Sequence, residues 1–223
     1  MRNQNPNKKL LKSVLGTNAS SLANSLGEFA IDQCITDAVL KDIPIVGTVL
    51  ALYKAGNDAQ AYLFAKKVLR FLQETESIPL DVRVKFVSEL SESDKEKLGD
   101  NLLLLINNIR ELNAAEYLGR CFSLLMTGKI NHFTFYQYTH IIECLTPYLL
   151  QQIIFLYQHK NMAPVITSDI YLLSSYGLLD LDMSRPLVVN NLSTPSYKKT
   201  KIGQNFYDQI IITNEPVIPI PNG

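Results

Sequence analysis

A chain of 223 residues with 47% hydrophobic and 19% charged side chains is long enough for one substantial core, or for a core with a smaller satellite unit. Its 21 basic and 21 acidic residues cancel to a formal net charge of zero, which argues against a general polyanion binder.

The charge is unevenly spread, because Arg2, Lys8, Lys9 and Lys12 all precede the first acid, Glu28. Residues 1–24 therefore read as a basic, flexible N-terminus, closed by the helix-breaking run from Gly16 to Ser21. This basic start leads into Ser/Asn-rich sequence and not into the apolar stretch of a secretory signal, so a cytoplasmic location is expected. Cys34, Cys121 and Cys144 are odd in number, far apart and set in apolar surroundings, as expected of reduced, buried thiols.

From residue 25 to residue 158 the pattern predicts a bundle of about seven helices. The first carries Leu26, Phe29, Ala30, Cys34 and Leu40 and stops at the Lys41 to Pro44 turn. Next, Val46, Leu50, Tyr53, Ala61, Phe64, Val68 and Phe71 share one stripe, which predicts a single long amphipathic helix through Glu74. Asp42 is placed to cap it and Pro44 sits in its first turn. Residues 25–72 would form an αα-hairpin. Gly56, Asn57 and Asp58 are its weak point, and Arg70 and Glu74 are spaced as an i,i+4 pair on the wet side.

Ile78 and Pro79 open a short helix with Val82, Phe86, Val87 and Leu90 inward. Ser93 and Glu96 match a capping box for a helix carrying Leu98, Leu102, Leu105, Ile106 and Ile109. Asn113 repeats the signal before Leu118, Cys121, Phe122, Leu125 and Met126, and Thr127-Gly128-Lys129 ends that helix. Asn131 or Thr134 caps the next, and Pro147 opens one holding Leu149, Ile153 and Ile154. The expected core is Leu50, Phe64, Val68, Leu102, Leu105, Phe122, Leu125, Ile141 and Ile153.

Beyond residue 160 a short helix is expected at Thr167 to Ser174, strands at Gly177–Leu181 and Leu187–Val189, and a last helix from Gln204 to Ile212. Residues 213–223 hold too many prolines for regular structure. The fold class is thus mainly α, a multi-helix bundle with a small α+β unit at 160–212.

Chemistry is scarce in this pattern. His140 and Cys144 are four apart, with His132 nearby, but a zinc site needs about four ligands, and neither metal nor cofactor is expected. No phosphate-binding glycine loop or nucleophile elbow occurs, so no catalytic residue is assigned and the chain reads as non-enzymatic. Two contact surfaces stand out. Lys198, Lys199 and Lys201 form a basic cluster suited to nucleic acid. Ile45, Val46 and Val49, with Lys66, Lys67 and Arg70 on the polar side, suit a membrane surface or a partner protein. The apolar run from Ile43 to Tyr53 would rise only about 16 Å as helix against a hydrocarbon core of about 30 Å, too short for a conventional span.

The segment Leu172-Leu-Ser-Ser-Tyr-Gly177-Leu-Leu, the strands after it, and Tyr197, Thr200, Gly203 and Phe206 at spacings of three resemble the winged-helix ending of many bacterial proteins. The resemblance covers residues 147–212 and implies a hairpin wing, Thr200 as a helix cap and Gly203 as a close-packing point. The expected recognition helix holds Asp169, Tyr171 and Leu172 without Arg or Lys, which leaves duplex binding to the three lysines. A mostly helical body ending this way is similar to the small bacterial abortive-infection (Abi-alpha-like) proteins, a resemblance carried by the C-terminal pattern and from which the N-terminal half departs. That resemblance implies a phage-defence or phage-exclusion role exercised through a protein partner. A nucleic-acid-binding regulator and a membrane-perturbing effector using residues 43–72 are the alternatives.

Overall fold

The computed structural model describes residues 5–16, 43–56, 59–158, 168–189 and 192–212. Ten α-helices and one two-stranded antiparallel sheet are found among them, which agrees with the mainly helical class. By contacts the chain divides into Met1–Cys144 and Leu145–Gly223. The helix opened by Pro147 is thereby grouped with the hairpin unit and not with the bundle.

In the first unit the helices are α1 Pro6–Val14, α2 Pro44–Gly56, α3 Ala59–Glu76, α4 Leu80–Glu89, α5 Glu92–Asn108, α6 Leu112–Met126 and α7 His132–Cys144. The expected basic, flexible N-terminus is corrected here, because residues 6–14 are helical. Pro6 fits the first turn, and Leu10, Leu11 and Val14 recur on one face and are buried. Ser13 links this helix to the next, its hydroxyl accepting from the Ile45 amide at 3.2 Å. The first expected helix, residues 26–40, and hence the αα-hairpin it would form, lie outside the described residues.

The single long helix is also corrected. It is two helices, α2 and α3, that pack on each other, the first ending at Gly56 and the second starting at Ala59; Asn57 and Asp58, part of the expected weak point, lie outside the described residues. Arg70 and Glu74 do not pair with one another. Each is turned to α6, Arg70 to Glu116 and to Asn113 Oδ1 at 2.8 Å, and Glu74 to Arg120 Nε at 3.2 Å. Helix-to-helix pairing wins because α3 and α6 run closely together. A Cβ at Gly119 would stand 2.6 Å from the Phe71 carbonyl oxygen, so only glycine permits this approach.

Around that contact the core assembles on Phe122, whose ring centroid is 5.7 Å from Phe71, 5.9 Å from Phe86 and 6.2 Å from Phe135. The expected stripe of α6 is buried at every position, Leu118, Cys121, Phe122, Leu125 and Met126. Burial pushes the Cys121 thiol well above its ordinary range, which makes it inert. Cys144 is half-buried, and Cys34 is outside the described residues.

Two helices start two residues earlier than their expected caps imply. Ser91, not Ser93, caps α5 by accepting from the Asp94 amide at 3.1 Å, and Glu111 precedes α6 without a side-chain cap. Asn113 is occupied by Arg70 instead. Asn131 does cap α7, accepting from the Thr134 amide at 2.9 Å.

The phase of α5 is corrected as well. Leu102 and Ile106 are fully buried while Leu105 is only half-buried. Leu102→Ala should therefore cost roughly 2–5 kcal/mol in urea unfolding and Leu105→Ala clearly less. Equal losses would mean that the helix face is misassigned.

The second unit contains α8 Pro147–Gln158, α9 Ser168–Ser175, β1 Leu179–Val189, β2 Leu192–Lys199 and α10 Lys201–Phe206, the last running into a π-helical turn, Tyr207–Ile211. The two expected strands, at 177–181 and 187–189, prove to be parts of one, β1. Its antiparallel partner is the polar 192–199 stretch, with the register broken between Asp182 and Leu187. As expected, Thr200 caps α10, accepting from the Gly203 amide at 2.9 Å. Gly203 is buried, and a Cβ there would fall 1.8 Å from the Tyr157 hydroxyl. That hydroxyl donates to the Leu178 carbonyl at 2.5 Å, and burial pushes it up to about 12.

Candidate functional site

An open groove of about 420 Å³ lies among four helices of the first unit. Pro6 of α1, Ile45, Thr48 and Val49 of α2, Gln60, Ala61 and Phe64 of α3, and Leu103, Leu104 and Asn107 of α5 line it. Its walls are set by the folding back of α3 on α2, which brings Ile45 and Phe64 to one cavity although 18 residues separate them in sequence.

The groove is almost wholly apolar, and two of its helices carry exposed leucines, Leu104 on the groove wall itself and Leu63 on α3. Leu63 on α3 is 46% exposed and Leu104 on α5 is 60% exposed. Two of the three polar wall residues, Thr48 and Asn107, are each bonded by a lysine. Lys9 Nζ donates to Thr48 Oγ1 at 2.9 Å, and Lys67 Nζ donates to the Asn107 carbonyl at 3.2 Å. Partial burial lowers the Lys67 ammonium from its usual value without a neighbouring acid to offset it. Asp100, one turn before Leu103 on α5, accepts from Asn7 Nδ2 at 2.9 Å.

The residues expected to face a membrane or partner are divided by this arrangement. Ile45, Val46 and Val49 are buried, so as a set they are not an outer contact face, and only Ile45 and Val49 reach the groove wall. Lys66 lies over the Tyr62 ring at 4.7 Å, Lys67 is held at the groove and Arg70 is paired with Glu116. The three cations of the expected contact surface thus each have a neighbour within the first unit. Of the residues singled out in sequence, Lys67, Ile45 and Val49 are the ones that meet at the groove.

The three lysines of the expected nucleic-acid cluster have different surroundings. Lys198 lies 3.8 Å from Asp180 on the neighbouring strand. Lys199 is half-buried with its ammonium 5.5 Å from the Tyr157 ring centre, and burial lowers it from its usual value. Lys201 is exposed in the first turn of α10, where the helix dipole disfavours a cation. On α9 the exposed large side chains are Tyr171 and Leu172.

His132 and His140 are exposed on α7, and no group of three His, Cys, Asp or Glu side chains is gathered in metal-binding geometry among the described residues. No helix among the described residues is long and apolar enough to cross a membrane. Compared with protein-family models, with curated proteins and with solved structures, the chain matches none.

Sequence reasoning missed the groove because its lining comes from four separate stretches, each of which reads as ordinary core facing. It also missed Arg83, which is 6% exposed. Its guanidinium donates to the carbonyls of Val14 at 2.6 Å and Gly16 at 3.2 Å, closing the end of α1.

Proposed function

We propose that the protein is a non-enzymatic binding module whose groove between α1, α2, α3 and α5 receives an amphipathic helix of a partner protein, with carboxylates flanking its apolar face. The observation that carries this reading is the open apolar groove, whose wall residue Leu104 is exposed, with Leu63 exposed on α3 and with Lys9 and Lys67 bonded to its wall. A helix laid along the groove covers Leu104 on its wall and extends to exposed Leu63 on α3, more surface than a small apolar molecule covers. The lysines at the wall favour an acidic occupant.

The setting we propose is phage exclusion in a bacterial cytoplasm, by capture of a partner needed for phage growth. Its support is the resemblance carried by Leu172 to Leu179 and by Tyr197, Thr200, Gly203 and Phe206. The winged-helix-like order of α9, the hairpin and α10 belongs to the same proposal, as a protein-contact element, since Tyr171 and Leu172 and not cations face outward from α9.

The test uses two dye-labelled model helices, one of Leu, Ala and Glu and one of Leu, Ala and Lys, followed by fluorescence anisotropy. The acidic helix should bind, should weaken with salt and should be lost in Leu104→Asp, a change at an exposed position that leaves the melting temperature at the wild-type value. Equal binding of both helices, undiminished binding by Leu104→Asp, or uptake of a small apolar dye without either helix would overturn the reading. Expression in a susceptible host should lower plaque counts for some members of a varied phage panel, and Leu104→Asp should restore them. Unchanged plaquing across the panel would remove the phage setting.

A further inference from the structure

The end of α3 carries a carboxyl group in an unusual place. Both oxygens of Glu76 are shut off from solvent and have no hydrogen-bond partner among the described residues, and the group sits in the last turn of its helix, where the dipole already disfavours an anion. Four residues on, α4 begins and buries Arg83. Arg83 Nη1 reaches the Val14 and Gly16 carbonyls, but its Nε is buried without a partner. Unmatched acceptors and an unmatched donor therefore stand on either side of the junction of α3 and α4, near enough for the Arg83 charge to act on Glu76.

We propose that Glu76 and Arg83 form a proton-operated latch on α1: with the Glu76 carboxyl neutral, Arg83 holds the Val14 and Gly16 carbonyls, and ionisation of Glu76 draws the guanidinium off them. The proton leaves to solvent, and the carboxylate gains the buried cation as its counter-charge. Two carbonyls at the end of α1 lose their charged donor.

Among the charged groups on the elements around this junction, Arg83 is the one that acts on Glu76. Arg120 on α6 is turned to Glu74 and Glu116, Lys9 on α1 to Thr48, and Lys12 is exposed. Burial raises the Glu76 carboxyl to about 7, with Arg83 acting in the opposite sense, so the latch changes state within the physiological range. α1 also carries Pro6 at the groove wall, so releasing its far end would alter the groove. The latch itself does not depend on the binding reading, because it is read on the amides of α1.

Hydrogen exchange of the full chain, corrected for the intrinsic rise of amide exchange with pH, tests it. Protection of the amides from Leu11 to Gly16 should fall roughly tenfold between pH 6 and pH 8, about the factor carried by one unit of proton linkage. Glu76→Gln should keep the pH 6 protection at both values, and Arg83→Met should show the lower protection at both. Amides from Leu118 to Phe122 in α6 should stay unchanged in the wild type. Flat protection in the wild type, a parallel fall in Glu76→Gln, or a matching fall in α6 would each overturn the latch.

Discussion

Phe122→Ala is expected to lower the unfolding free energy by roughly 3–5 kcal/mol, the range for removing a fully buried aromatic ring. Phe122 stands between Phe71, Phe86 and Phe135, so one truncation empties the place where α3, α4, α6 and α7 meet. The surrounding helices are poorly able to close the void, because α3 and α6 are already in backbone contact at Gly119. Urea titration followed by circular dichroism measures the loss. Phe122→Leu should recover part of it, and a Phe122→Ala protein with wild-type midpoint and slope would mean that the ring cluster is not the core.

Arg83→Ala should come next in size. It strips a charged donor from the buried Val14 carbonyl and from the Gly16 carbonyl, and leaves Glu76 without its nearby cation. Losing the donor alone is worth roughly 1–3 kcal/mol. The pH dependence gives a second signature. In the unfolded chain Glu76 ionises near 4.5, whereas burial holds the native carboxyl to about 7. Below 4.5 both states keep the proton and the group contributes no pH dependence. Between 4.5 and about 7 the native state binds more proton than the unfolded one, so stability declines as pH rises, and above 7 the decline is complete. Without Arg83 the native carboxyl is raised further, so the decline should extend to higher pH. Glu76→Gln should remove this contribution. Melting curves of the three proteins from pH 4.5 to 9 separate these outcomes, and identical pH profiles would show that Glu76 is not buried in the native state.

How far the sequence reveals this structure depends on whether an element's character comes from its own residues. The stripe of α6 was legible because small and polar residues separate Leu118, Cys121, Phe122 and Leu125. In α5 the run Leu102-Leu-Leu-Leu-Ile106 satisfies any helical phase, so only the neighbouring helices decide that Leu102 faces in and Leu104 faces out. α1 was hidden by its lysines, although Leu10, Leu11 and Val14 have helical spacing. β2 was hidden by Ser, Thr and Pro, which read as loop until β1 supplies a partner. Thr200 was legible because a cap is local. The groove and the Arg83 corner were not, since no local pattern says that residues 6, 48, 64 and 104 share a wall, or that an arginine in a short helix is sealed inside.

The position of α1 also bears on the order in which the chain can assemble. It packs on α5, and Asn7 bonds to Asp100 across 93 positions of sequence, while Arg83 reaches Val14 across 69. Closing loops of this length adds little to the thermodynamic cost, which grows only with the logarithm of length, but it slows the search. During synthesis the first helix leaves the ribosome long before α4 and α5 exist, and by itself it is too short to be stable. α2 and α3 can meet part of its face earlier, but the cover that α5 gives to α1 is incomplete until residue 108 has emerged. Docking of the N-terminus is expected to be a late event, which would make nascent chains ending before α5 the ones most exposed to aggregation and to chaperone capture.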